Sequence, residues 1–250
     1  MTNPPLKLLT WDIETGAGVN GFKSNLSVAL TIGYKWAHEK KARCLSVLDY
    51  GDLKEKKIQD WDTEMLREFH EIMCEADATI THYGTRFDKK YLTGRMVIKG
   101  LPPFPPIKHY DTWQMAKTIM VMDSNRLGNL TKNLDLVNQK QSNGWPHWWM
   151  EVGRSPHTEV KKMIPYCIGD VMATEELFFR LLPYMKGGGR EHIINDDRPT
   201  CTKCGSDKLQ KRGRHVTTTG IFQRFQCQNC GSWSRDATKL STSKYIRNME

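Results

Sequence analysis

Asp12 and Glu14 stand one residue apart inside the apolar run Leu8-Leu9-Thr10-Trp11-Asp12-Ile13-Glu14-Thr15. If the run is a strand, its period of two points both carboxylates to the same side. Two acids side by side in a core strand repel each other and lose hydration unless a cation compensates. No Lys or Arg lies in the run, so a divalent metal is the natural candidate. A strand at a sheet edge, with both acids in water, is the alternative. Two later segments have a similar character. Asp88 follows the strand-like stretch and turn Thr81-His82-Tyr83-Gly84, next to Phe87. Tyr166 and Asp170 are four apart, on one face of a helix. Taken singly, Asp88 reads as a helix-start acid favoured by the dipole, and Tyr166 with Asp170 as a structural pair. Asp111 is a weaker extra acid that we leave outside the set.

A second kind of chemistry is concentrated near the C-terminus. Of seven cysteines, Cys44, Cys74 and Cys167 are scattered and read as reduced core thiols. Cys201, Cys204, Cys227 and Cys230 form two Cys-x-x-Cys-Gly knuckles with 22 residues between them. Each tight turn can give two thiolates to one tetrahedral Zn²⁺, and the following Gly lets the backbone curl beneath the metal. Disulfides are the less favoured alternative. The surrounding segment resembles a zinc ribbon of the kind found in transposase-like and other DNA-binding proteins. A module this small is expected to fold only with its metal.

The elements that must position these groups can be read from the pattern. Leu6–Ile13, Ser27–Trp36 and Ala42–Leu48 read as three strands of an antiparallel meander. Thr63–Glu75 has helical apolar spacing, with Asp62 or Thr63 as its cap. A short strand over 78–83, a helix opened by Asp88, a Pro-rich turn over 101–106 and a strand over 107–111 follow. The remainder reads as a helix over Trp113–Met122, a shorter one over Asn129–Gln139, an aromatic loop over 143–149 and a closing helix from Thr158 to Met185. Pro165 is expected to kink that helix or mark its start. The order is α/β, with an antiparallel start and later crossovers. We expect a body over 1–185, a Gly-rich linker over 186–198 and a zinc ribbon with a basic tail over 199–250.

In this order, the three acidic segments resemble the DEDD superfamily of 3′–5′ exonucleases, whose fold is ribonuclease-H-like: a mixed sheet flanked by helices. The acid-x-Glu strand is matched by Asp12 and Glu14. The second motif is matched by His82, Phe87 and Asp88, and the Tyr-x-x-x-Asp motif of the tyrosine subgroup by Tyr166 and Asp170. The histidine subgroup would need His where Pro165 stands. The resemblance covers about residues 6–185. It implies two Mg²⁺ or Mn²⁺ ions: Asp12 would bridge them, Glu14 and Asp170 would complete the site of the nucleophilic water, and Asp88 would support the second ion. Tyr166, with an ordinary pKa of about 10, would orient the water and not act as a base. His82 would touch the substrate backbone or be a hydrogen-bonded structural residue. Trp145, Trp148 and Trp149 would stack on bases or fill an apolar gap.

Charge points the same way. The net charge is +9. Residues 1–185 hold 24 Lys and Arg against 22 Asp and Glu, whereas 186–250 hold 13 against 6. A basic tail on a nearly neutral body implies a polyanion, with nucleic acid foremost. Arg212, Arg214 and Arg224 are the candidate contacts; protein docking is the alternative for this module. No apolar run is long enough to span a membrane, and the N-terminus lacks the pattern of a signal peptide, so a cytoplasmic protein is expected. The reading is a metal-dependent 3′–5′ exonuclease, preferring DNA over RNA and releasing nucleoside monophosphates, with replication or repair proteins as partners. The rivals are a structure-selective or RNA-directed endonuclease of the same fold, and a non-catalytic nucleic-acid-binding protein.

Overall fold

A computed structural model describes residues 7–16, 27–141, 151–152, 154–185, 200–217 and 220–241. The aromatic loop at 143–149 and the Gly-rich linker at 186–198 lie outside the described residues. The chain divides into two compact units between Leu181 and Leu182.

In the larger unit, β1 (Leu8–Gly16), β2 (Val28–Trp36) and β3 (Arg43–Ser46) form the expected antiparallel meander. β4 (Ala78–Thr81) then pairs parallel to β1, and β5 (Lys108–Asp111) parallel to β4. The sheet order is β3-β2-β1-β4-β5, so the strand bearing Asp12 and Glu14 is central. The edge-strand alternative therefore fails. β3 ends earlier than the apolar pattern suggests, because Ser46 and Asp49 form a capping box that turns Val47–Tyr50 into a 3₁₀ turn.

β1 separates two chemistries by its pleat. Trp11 packs against Phe69 of α1 (Thr63–Cys74), with ring centroids 5.4 Å apart, and Leu9 and Ile13 join the same core. On the opposite face lies the closing helix, α5 (Pro156–Leu181), whose Cys167 Sγ is 3.5 Å from the carbonyl oxygen of Asp12. Gly33 of β2 makes this approach possible. A Cβ there would lie 2.8 Å from Cys167 Sγ, too close for any side chain without movement. Pro165 sits within α5 and does not end it, although the helix stops at Leu181 and continues only as the 3₁₀ turn Leu182–Tyr184.

Asp62 is not the side-chain cap its position suggests. Its buried carboxylate instead receives Arg95 Nε and Nη2, each at 2.7 Å, and the amide of Ala29 at 3.0 Å. This pair ties α1 to α2 (Asp88–Ile98) and β2. The remaining helices, α3 (Thr112–Ile119) and α4 (Leu127–Asn133), are both shorter than expected. Of the scattered cysteines, Cys167 is buried and Cys44 half-buried, but Cys74 is exposed and not a core thiol. No helix among the described residues is long and apolar enough to cross a membrane.

The smaller unit is a three-stranded antiparallel sheet, β6 (Leu209–Thr217), β7 (Gly220–Cys227) and β8 (Trp233–Ser241), in that order. It carries one cysteine knuckle before β6 and one between β7 and β8, the arrangement of a zinc ribbon.

Candidate active site and metal centre

Asp12 and Glu14 project from the centre of β1 toward α5, where Asp170 meets them. One carboxylate oxygen from each lies within 4.8 Å of the others. Glu14 and Asp170 are buried and Asp12 is half-buried. β1 outruns β4, which pairs only with Leu8–Thr10, so the backbone beyond is open on that side. Asp88 stands at the first residue of α2 with its carboxylate buried, where the nearby backbone amide of Ile13 favours its charged form. Asp88 is outside the close trio but lies near enough to raise the pKa of Asp12.

Electrostatics show what the cluster lacks. Burial first, then the charges of Asp88, Asp170 and Glu14, push the Asp12 carboxyl well above the carboxylate range. Asp88 is raised to about 7, mainly by burial. Asp170 is also raised by burial, although Lys140 opposes the shift. Asp170 Oδ1 is buried with no hydrogen-bond partner among the described residues. Packed carboxylates with an orphaned oxygen form a donor set that suits a hard divalent cation.

Among the described residues, one positive charge reaches the cluster. Lys140 Nζ forms an ion pair with Asp170 Oδ2 and lies 4.6 Å from the centre of the Tyr166 ring. Burial opposes its charge, but Asp170 and Tyr166 outweigh that and hold Lys140 protonated. The segment carrying Lys140 reads as the end of a helix, yet α4 stops at Asn133 and the chain turns through Asp135 at φ +48°. Glu176 of α5 then accepts the amides of Val137 and Asn138 at 2.9 and 2.8 Å, which fixes the approach of Lys140. Only the polar, irregular character of 135–141 hinted at a loop there.

Tyr166 lies one helical turn before Asp170 and is buried. Burial, followed by the charge of Asp170, pushes its hydroxyl up to about 12, so it stays protonated near neutrality. His82 Nδ1 is 2.9 Å from Thr112 Oγ1, and burial lowers its pKa to about 4. It is thus a neutral, hydrogen-bonded side chain. A cleft of about 530 Å³ is lined by His82, Tyr83, Trp113, Arg126, Leu127 and Lys140. Asp111 accepts the amides of Tyr83, Thr85 and Trp113 at 2.9, 3.1 and 3.0 Å. It thereby shapes the turn that precedes Asp88, in which Tyr83 takes a φ of +64°. Phe87, from the second motif, is 39% exposed and stacks near Tyr91, with centroids 5.6 Å apart.

In the smaller unit, the four cysteine sulfurs lie within 4.8 Å of one another. The Cys201–Cys230 and Cys204–Cys227 separations are 3.7 and 3.6 Å. A disulfide needs about 2.05 Å. A tetrahedron with metal–sulfur bonds of about 2.3 Å has edges of about 3.8 Å, so the thiols fit one Zn²⁺. Gly205 and Gly231 adopt φ of +70° and +75°, the left-handed turn each knuckle requires. The amides of Lys203 and Asn229 point at Cys201 Sγ and Cys227 Sγ, both at 3.4 Å. Arg212, Arg214 and Arg224 are exposed on the ribbon strands, and Arg224 Nε donates to the carbonyl of Arg212 at 2.8 Å.

The family model described as RNase_H superfamily matches residues 9–182. Among solved structures, the family B DNA polymerase from the hyperthermophilic archaeon Pyrobaculum calidifontis is similar, with a TM-score of 0.54 and 17% identity. The alignment covers 72% of this chain and 25% of that one, and at such identity the likeness speaks for the fold alone. A search of curated proteins gives no significant sequence match.

Proposed function

The chain belongs to the RNase H superfamily, and from that premise we propose that it is a metal-dependent 3′–5′ exonuclease that prefers DNA and releases nucleoside monophosphates. Membership supports a nuclease. The observation that carries the finer reading is the convergence of Asp12, Glu14 and Asp170 within 4.8 Å, with Tyr166 one turn from Asp170. These are three of the four acids, in chain order, of the tyrosine subgroup that the sequence resembles, and Asp88 is the fourth.

Asp12, Glu14 and Asp170 would hold one divalent cation, and Asp12 with Asp88 a second. Such ions supply acidified water and charge stabilisation at the leaving 3′ oxygen. The protein's own groups do the rest. Tyr166, held protonated, donates a hydrogen bond that orients the nucleophile and does not take its proton. Lys140 limits the net negative charge that an incoming phosphodiester must approach. The cleft beside Lys140 admits the strand, with Trp113 and Tyr83 as apolar walls and Arg126 as a cation. Residues 199–250 form a zinc-holding module that tethers the body, 1–185, to nucleic acid through Arg212, Arg214 and Arg224, with 186–198 as linker. The partner set would include replication or repair proteins.

The test uses end-labelled single- and double-stranded DNA and RNA in Mg²⁺, each with a free or chemically blocked 3′ end. Stepwise shortening from the 3′ end, stalled by the block and abolished by Asp12→Ala, is the expected result. Cleavage of blocked substrates would instead indicate an endonuclease, and undiminished activity of Asp12→Ala would overturn the site.

A further inference from the structure

The ribbon carries a feature that phosphate tethering does not require. Over residues 200–241, eight Lys and Arg stand against two Asp and no Glu. β7 and β8 set Arg224 directly opposite Arg235. Like charges facing each other across an antiparallel pair are destabilising. No carboxylate among the described residues forms an ion pair with either. Aromatic rings hold them instead. The Arg224 guanidinium lies 4.9 Å from the centre of the Trp233 ring, and that of Arg235 lies 3.9 Å from Phe222. Arg224 and Arg235 are register partners, so these two crossed contacts put all four side chains on one face of the sheet.

Backbone bonds restrain both guanidinium groups further. Arg224 Nε donates to the Arg212 carbonyl at 2.8 Å, and Arg235 Nη1 to the Asp236 carbonyl at 3.1 Å. Both arginines are exposed, and Trp233 is 51% exposed although Phe222 is buried beneath its arginine. His215 and Lys239, the register partners of Phe222, extend the face on either side. Contact with phosphates needs charge and hydrogen-bond donors, neither of which requires a guanidinium seated on an aromatic ring. Here two planar cations are preorganised, and the indole beside them is half exposed.

We propose that this face binds single-stranded nucleic acid, with bases stacking on Trp233 and on the guanidinium planes of Arg224 and Arg235. A single strand can offer its base faces to such a platform, whereas a duplex keeps them within its own stack. Charge complementarity with the basic strands selects a polyanion over an apolar protein partner. The inference rests on the tethering role given above and adds the strandedness of the ligand and the face that receives it.

The test is fluorescence anisotropy on the full-length, zinc-loaded protein without added Mg²⁺, using oligonucleotides of about 16 nucleotides. The probes are single-stranded DNA, single-stranded RNA, the DNA duplex and a DNA strand whose central nucleotides are abasic. The base-bearing single strands should bind at least about tenfold more tightly than the duplex or abasic strand, the equivalent of about 1.4 kcal/mol. Comparing the DNA and RNA strands identifies which is preferred. Trp233→Ala, and separately the charge-preserving pair Arg224→Lys with Arg235→Lys, should remove most of that advantage. Zinc content checks that each variant retains its fold, and the Lys pair keeps both charge and metal site. Equal binding of abasic and base-bearing strands, equal binding of the duplex, or full preference in the zinc-loaded Lys pair would each overturn the proposal. The same protein is then given Mg²⁺. Hydrolysis without a base preference defeats the stacking face alone, and a base preference without hydrolysis defeats the exonuclease reading alone.

Discussion

Lys140 holds part of the negative charge of the acid cluster in check, so its removal should be felt through Asp170. Burial raises the Asp170 carboxyl and Lys140 opposes that rise. In Lys140→Met the opposition disappears, the carboxyl of the metal-free protein titrates at higher pH, and the pH profile of Mg²⁺ binding should move upward. We expect kcat at neutral pH to fall by at least tenfold. An unmoved profile would count against this role. Tyr166→Phe should lower kcat on the order of 10²-fold with little change in KM, since it removes one oriented hydroxyl and leaves the acids in place. Steady-state kinetics on a 3′-labelled strand measures both. At this scale the sequence was informative wherever chemistry is written as spacing. Asp12 with Glu14, and Tyr166 with Asp170, are local patterns, and the structure brings them together. Lys140 is not a local pattern. It reaches Asp170 only because Glu176 captures the amides of Val137 and Asn138, a contact between segments 38 and 39 residues apart.

The elements were legible where hydrophobic period and length agree, as in β1, β2 and α1. They were misjudged where a polar side chain altered the course of the backbone. Ser46 capped a turn inside an apolar run, and Asp62 served a buried arginine and not its own helix. The Asp62–Arg95 pair should therefore be fragile to half-removal. Asp62→Ala leaves Arg95 buried without its counter-ion and should cost about 3–5 kcal/mol in urea unfolding, with a smaller loss if Arg95→Met is added. His109 makes a second element-level prediction. It joins β4 to β5, with Nδ1 at 2.9 Å from Thr79 Oγ1 and Nε2 at 3.3 Å from Thr81 Oγ1. Burial lowers its pKa to about 4. The folded form therefore binds this proton less readily than the unfolded chain, whose histidine titrates near 6.5. Its contribution is fully present above pH 6.5 and is lost as pH falls toward 4, by on the order of 2–3 kcal/mol. The raised acids of the site run the opposite way, so the comparison that isolates His109 is wild type against His109→Gln. The variant should lose less stability between pH 7 and pH 4.5.

Across the whole molecule, the two units offer different donor sets, carboxylates in the larger and thiols in the smaller. A zinc-selective chelator should abolish the thermal transition of the ribbon, as should Cys204→Ser, because so small a sheet has little core without its metal. The transition of the larger unit should remain in both cases, as read by differential scanning calorimetry. Mg²⁺ should stabilise only that larger unit, through its acids. The site within it has a particular history in the making of the chain. As synthesis proceeds, Asp12, Glu14 and Asp88 emerge early, but Asp170 follows more than eighty residues after Asp88. Gly33 leaves the space on β2 that Cys167 and Val171 of α5 occupy. A nascent chain stopped before residue 156 would carry three of the four acids and none of the helix that closes the cluster. Competence to bind metal with the full acid set would then be conferred late, by the single docking event that brings Asp170 to Asp12 and Glu14.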